Sequence, residues 1–380
     1  MAHLKFTEEC SNMKKVLALV LVVAMAMTMF AGCGSKPAPA APAAPAAPAA
    51  SKAPAASAAP AAPAAPAAPE LELIIASNQT SAENPYHFGL AKFKEVAESV
   101  SGGKISVVCH DGTLGENENE LIEKLNMGAC HMVVASPGFM TAIGVPEVDM
   151  LSLLYLFDSF DHWEAAMDGE FGSTMRDIIL DKTGNDFRIM GYWSAGVRDY
   201  YGKKPIKTVA DVKGLTIRTQ TSGVVSEFWT QCGAIPTNVA WGELYQALEQ
   251  GVVDSAENDY TNFSLKEHHK TANGKYVCET HHDFTTRLFL MDGNFYNSLT
   301  DEQKGWIDEA SAAATAEERR VTYSMMDSSK ENVKNAGGVV TNFDEMDIEA
   351  FKAIALPIQD KFAADNKMET YLDMVRKAAK

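Results

Sequence analysis

Apolar and polar positions fall into a regular pattern from residue 71 onward. Leu71–Ala76 sets Leu71, Leu73 and Ile75 on one face and then stays apolar, as a buried strand does. Asn84–Val100 places Phe88, Ala91, Val96 and Val100 at helical spacing, and Gly102-Gly103 stops the helix. Lys104–Cys109 reads as a second strand, Glu116–Met127 as a second helix and His131–Ser136 as a third strand. Strand, helix, strand, helix, strand within about 65 residues predicts an α/β fold with a parallel sheet. Further strands are expected at Arg188–Tyr192, at Thr216–Thr219 after the Gly214 turn, and at Val252–Ala256. Ser222–Cys232 and Gly242–Gln250 read as helices. Asp301–Lys334 is Ala-rich, charged and almost free of Gly and Pro, and predicts a long helix. Val339-Val340 adds a late strand, followed by a closing helix near Asp347–Lys361. A body of about 311 residues is long enough for two lobes.

The first 69 residues follow different rules. Lys14-Lys15 precede an uncharged apolar run from Val16 to Gly32, and then Cys33. A basic start, an apolar stretch and small residues before the cut describe an export signal, with Met13 as its natural first residue. Phe30-Ala31-Gly32-Cys33 resembles a bacterial lipobox, with Phe where Leu is usual; in that reading the Cys33 thiol is acylated. An uncleaved membrane anchor is the other reading, and both place the body outside the cytoplasm, anchored on the outer face of the membrane or periplasmic. Residues 36–69 are almost purely Ala and Pro and hold ten of the sixteen prolines. Such a chain cannot bury a core and stays extended, a tether without chemistry.

Charge narrows the partners. The whole chain carries 50 acidic and 33 basic side chains, a net charge of −17. A phosphate-binding surface needs a basic face, so a nucleic-acid partner is not expected. An anionic ligand gains nothing from the global field and needs local cations in a pocket. No Walker motif, no G-x-G-x-x-G and no H-E-x-x-H occurs, and no cofactor or metal is expected. The pairs His268-His269 and His281-His282 point to different sides of one element and make poor chelates. Gly191-Tyr-Trp-Ser194-Ala-Gly196 has one residue too many before the Ser for a nucleophile elbow, so no catalytic residue is assigned. Cys109, Cys130, Cys232 and Cys278 have no metal-like spacing, and their pairing is open.

One stretch is specific. It starts at Gly196-Val-Arg198-Asp-Tyr-Tyr and Lys204-Pro-Ile-Lys-Thr-Val-Ala-Asp211-Val-Lys-Gly214-Leu-Thr-Ile-Arg218. It continues through Gly233-Ala-Ile-Pro236 and Trp241-Gly-Glu243-Leu-Tyr245-Gln-Ala-Leu248-Glu-Gln-Gly251 to Val253-Asp254-Ser-Ala-Glu257-Asn258. With Thr113-Leu-Gly115, Asp161-His-Trp, Asp168-Gly169 and Thr280-His-His282, it resembles the solute-binding proteins of tripartite ATP-independent periplasmic (TRAP) transporters, of the dicarboxylate-binding type. The resemblance implies two α/β lobes joined by crossing strands and a long helix, closing on one small ligand for delivery to a membrane permease. Its boundaries here would be residues 70–195 with about 286–325 for one lobe, and 196–285 with about 326–380 for the other.

The resemblance also implies site residues. Arg218 matches the family's carboxylate anchor; a guanidinium offers a planar fork and keeps its charge when buried. Arg198 matches a second Arg that assists it, and Asn258 the Asn of the Glu-Asn pair, whose amide both donates and accepts. Trp241 stands where an aromatic covers the ligand, and His282 matches a frequent family His. Trp193, Ser136, Asn78 and Glu83 are neighbours of the expected cleft. Asp259, where the family usually has Pro, either accepts from ligand hydroxyls or caps a turn. Tyr155 likewise replaces a usual Pro. The expected ligand is a small organic acid, a sugar acid or dicarboxylate, bound without transformation. A module feeding a sensor kinase and an ABC-type receptor are the alternatives, and the Arg218 and Asn258 motifs argue against the second.

Overall fold

In the computed structural model, residues 68–115 and 117–378 are described. The export signal, Cys33 and most of the Ala/Pro tether lie outside the described residues. The three predicted strands near the start form as β1 (Leu71–Ser77), β2 (Ile105–Asp111) and β3 (Met132–Ala135), with β1 parallel to both of the others. Between them run α1 (Pro85–Val100) and α2 (Glu118–Asn126). Asn84 starts α1 because its side chain accepts from Tyr86 N, while Pro85 occupies the first turn, where no N–H is needed.

Two further parallel strands, β5 (Thr216–Thr219) and β6 (Ile235–Asn238), enclose α5 (Gly223–Gln231), and β5 also pairs with β7 (Ser255–Asn258). Between these two groups lie β4 (Phe187–Gly202) and β8 (Tyr276–Asp292), 16 and 17 residues long and antiparallel to each other. The sheet order is β2-β1-β3-β8-β4-β7-β5-β6, with β9 (Val339–Thr341) beside β8. The late half of β8 joins β3, and the late half of β4 joins β7. One sheet is thus shared by two halves, and only β4 and β8 cross from one to the other. The crossing is irregular: pairing shifts between Ser194 and Val197 and between Arg198 and Tyr200, Gly196 has φ 74°, and His281 has φ 45°.

Helices cover both faces. α3 (Phe160–Met167), α4 (Glu170–Lys182), α9 (Ile348–Asn366) and α10 (Glu369–Ala378) pack together, while α6 (Leu244–Glu249) precedes β7 in the chain and α7 (Tyr260–Leu265), which packs on β4, follows it. α8 (Asp301–Asn335) is 35 residues long and packs on α1, β4 and α7. A capping box begins it: Thr300 Oγ1 accepts from Gln303 N, and Gln303 Oε1 accepts from Thr300 N. Leu73, Leu90, Phe93, Trp193, Phe289 and Ala314 fill the layer between the first half-sheet and its helices. Among the described residues no helix is long and apolar enough to cross a membrane, and all four body cysteines are free thiols.

The strand at Val252–Ala256 is displaced: β7 begins at Ser255 and ends on the polar pair Glu257-Asn258. The strand begun at Arg188 runs ten residues beyond its expected end at Tyr192. The chain from Tyr276 to Asp292, given no element by the periodicity, is the longest strand. Tyr155, the departure from the family's Pro, has φ 55°, a value a proline ring excludes.

Glu318 lies at the middle of α8 and is fully buried. Its carboxyl accepts from Ser194 N at 3.0 Å and from Thr322 Oγ1 at 2.9 Å. Burial outweighs these bonds and pushes its pKa up from 4.5 to about 8. An acid whose folded pKa is raised takes up its proton on folding, so its contribution is full below about pH 4.5 and is lost as pH rises to about 8. Glu318→Gln keeps an acceptor for Ser194 N, lets its amide donate to Thr322 Oγ1, whose hydroxyl can turn to Ser194 O, and has no charge to bury. The variant is expected to melt at least about 2 °C above the parent at pH 8.5 and to converge with it near pH 5, as read by calorimetric melting across that range.

Candidate ligand-binding site

Parallel strands leave their carboxyl ends on one edge of a sheet, and ligands of open α/β folds lie beyond those ends. Here the ends of both half-sheets face one cavity of about 180 Å³. Asn78 follows β1 and Ser136 follows β3; Arg218 and Gln220 come from the end of β5, Asn238 from β6 and Asn258 from β7. Arg198 on β4 and Arg287 on β8 complete the wall, with Tyr86, Glu118, Phe139 and Trp241. The two halves touch at the rim. A Cβ added to Gly138 would lie 1.7 Å from the Thr221 carbonyl oxygen, so only glycine permits this approach.

Arg218 is 6% exposed. Its Nε donates to Val239 O at 2.9 Å, and among the described residues its Nη groups have no partner and it forms no ion pair. Burial lowers its pKa to about 10, and the Arg198 charge adds to that effect. At neutral pH it remains charged. The Trp241 ring lies 5.9 Å from its Cζ, in cation–π range. A buried, unpaired cation of this kind is stabilised by an incoming carboxylate, which meets it bidentately.

Arg198 is buried and differently placed. Its Nε pairs with Glu257 Oε2, Nη2 donates to Glu257 O at 2.5 Å and Nη1 to Asn258 Oδ1 at 3.0 Å. Burial alone would raise the Glu257 carboxyl; Arg198 and His282 outweigh it and hold it near pKa 2. His282 Nε2 lies 3.1 Å from Glu257 Oε2, and its Nδ1 lies 2.7 Å from Thr280 Oγ1. An ionised Glu257 only accepts, so the imidazole proton sits on Nε2 and Nδ1 accepts from Thr280. Arg198 is thus neutralised by its own fold and fixed by it. Asn258 Oδ1 is occupied by Arg198 and Asp259 N, which leaves its Nδ2 hydrogens without a partner among the described residues.

On the other half, Ser136 donates from Oγ to Glu118 Oε1 at 3.1 Å and from its backbone N to Oε2 at 2.8 Å. Asn78 Oδ1 accepts from Gln79 Nε2. Arginine charge on one side and amides and hydroxyls around it suit an acid that also carries hydroxyl groups.

The structure brings Arg218, Arg198, Asn258, Trp241, Ser136 and Asn78 to one cavity. Four other expected residues stand elsewhere. Trp193 is fully buried between the sheet and α8, stacked on Phe289 with 4.6 Å between centroids, and its Nε1 donates to Thr315 Oγ1. Asp259 takes the turn-capping alternative: Oδ2 accepts from Thr261 N and Asn262 N, and Oδ1 from Asn262 Nδ2. His282 stands behind Arg198, reaching the site only through Glu257. Glu83 is exposed in the turn before α1. Sequence reasoning missed Arg287, Glu118 and Tyr86. Tyr86 and Glu118 open helices that follow β1 and β2, a position from which they could have been found; Arg287 lies in the unrecognised β8.

Comparison with known proteins agrees with this geometry. Residues 76–366 match the family model of the bacterial extracellular solute-binding proteins, family 7. A solute-binding protein of Chromohalobacter salexigens is 30% identical over 274 residues, covering 72% of this chain and 79% of its own. The fold superposes with a TM-score of 0.73 on a TRAP periplasmic solute-binding protein of Sulfitobacter holding β-D-galacturonate, 27% identical, covering 80% of this chain and 99% of that one. A TRAP periplasmic solute-binding protein of Chromohalobacter salexigens holding D-glucuronate gives 0.74 at 26% identity, with coverage of 80% and 99%. Family match, two-lobed fold and a cavity at the strand ends agree, and the chain belongs to the family 7 extracellular solute-binding proteins, the solute receptors of TRAP transporters.

Proposed function

We propose that this receptor binds a small hydroxylated organic acid, of the sugar-acid class, holds it unchanged and delivers it to a TRAP permease. The observation that carries the reading is Arg218: a buried guanidinium that, among the described residues, has free Nη groups and no counter-ion, facing a cavity whose wall also carries the amides of Asn78, Gln220, Asn238 and Asn258 and the Ser136 hydroxyl. The uronates held by the two structural relatives belong to the same chemical class. Arg218 anchors the carboxylate. Arg198, held by Glu257, and the free amide of Asn258 donate beside it. Trp241 covers the ligand's apolar face, while Ser136 and Asn78 meet its hydroxyls. Asp259, Trp193 and His282 support these groups from behind rather than through contact.

Binding proceeds by closure of the two halves. The kinks of β4 and β8 at Gly196 and His281 are the places where the crossing strands bend with least loss of pairing. The lobes divide near residues 195 and 286. The chain is exported and anchored through an acylated Cys33, and the Ala/Pro tether lets the body reach the permease.

Arg218→Ala is expected to weaken the binding of a sugar acid by about 3 kcal/mol, more than a hundredfold. Arg218→Lys keeps the charge, loses the fork and should fall between the two. Calorimetric titration of folded variants checks both, and an unchanged Kd for Arg218→Ala excludes the anchor role. Metabolic labelling with palmitate is expected to mark the parent and to miss Cys33→Ala; equal labelling excludes the lipid anchor.

A further inference from the structure

The cavity holds a second guanidinium that has no counter-ion among the described residues. Arg287 is 7% exposed. Its Nη1 donates to Thr286 O at 3.0 Å, its Nε is buried without any hydrogen-bond partner, and among the described residues it forms no ion pair. The acids around it are engaged elsewhere. Both Glu118 oxygens accept from Ser136. Both Asp259 oxygens accept from the start of α7. Glu318, behind the wall, accepts from Ser194 N and Thr322 Oγ1, and burial raises its pKa to about 8.

Its place in the sheet separates it from the first anchor. Arg287 lies opposite Trp193 on β4, whereas Asp283, four residues earlier on β8, lies opposite Arg198. At about 3.3 Å per residue the two register positions are roughly 13 Å apart along the strand. Arg218 stands beyond β4 and β7, in the other half-sheet. The cavity therefore carries one uncompensated cation from each half. A ligand with a single carboxylate neutralises one and leaves the other as unpaired as it was before binding, whereas a second carboxylate gains that contact as well.

We propose that Arg287 forms a second anion subsite, so that the ligand is a hydroxylated diacid. One of its carboxylates lies on Arg218 and the other on Arg287, with its hydroxyls read by Ser136, Glu118 and Asn258 between them. This rests on the sugar-acid reading above and sharpens it. It also gives closure a driving force, because the two carboxylates draw cations of opposite halves toward one molecule.

D-gluconate and D-glucarate share a six-carbon polyol chain and differ only in a hydroxymethyl or a carboxylate at the far end. Calorimetric titration of the intact protein is expected to give glucarate a Kd at least about tenfold lower than gluconate. Arg287→Met should abolish that difference, with the loss falling on glucarate, and an unchanged melting transition without ligand shows that the variant folds. Arg287→Lys should keep part of the preference. Equal affinities in the parent, or an Arg287→Met that weakens both acids alike, overturn the second subsite and leave the sugar-acid receptor standing. Binding of neither acid overturns both.

Discussion

A guanidinium taken out of water without a counter-ion is costly, and the fold around Arg218 exists in spite of it. The same sheet shows the alternative a few residues away. Arg198 is given Glu257, Glu257 is given His282, and His282 is given Thr280, so that charge is closed within the protein. Among the described residues, Arg218 has only the Val239 carbonyl as a hydrogen-bond partner. In a chain of net charge −17, an acidic partner would have been easy to supply. Its absence makes the cavity a local positive exception in a negative molecule, one that recognises acids without relying on long-range steering.

The long strands carry this arrangement. β4 and β8 hold the two half-sheets together, and each also brings one arginine to the wall. Their irregular middle serves both ends. Bulges re-aim side chains and weaken pairing at the place where the halves must move. α8 runs along the same crossing and fixes it from outside, through Glu318 on Ser194 and Arg319, whose Nη groups grip Asp168 while Nε donates to Tyr192 O. Support and bending are therefore divided between a helix and two kinked strands.

Much of the first half was legible because its elements alternate in the usual way and end on Gly or Asn. The β5 strand was read to its boundaries, since Gly214 sets its start and Arg218 falls at its end. β8 was not legible. Its middle reads Glu279, Thr280, His281, His282, Asp283, Thr285, Thr286 and Arg287, too polar for a buried strand by any periodic rule. Most of these residues are buried because they meet partners remote in sequence: Glu279 meets Tyr260 and Lys330, His282 meets Glu257, and Thr286 meets Trp163. Glu257-Asn258 hid the end of β7 for the same reason. The anchoring residues were reached through the family resemblance, and its limits show at Trp193, adjacent to the motif in sequence but turned to the core. Arg287 lay in the strand that polarity concealed.

Recognition in this cavity rests on charge rather than on shape. The most direct test is a thermal-shift comparison of sugar acids with the neutral sugars of the same skeleton, made on the parent protein. A ligand at a hundred times its Kd adds about 2.7 kcal/mol of stability, enough to see. The account predicts shifts from acids alone, with each neutral counterpart silent at the same concentration. Shifts of equal size from an acid and its neutral counterpart, or from neutral sugars only, would contradict it.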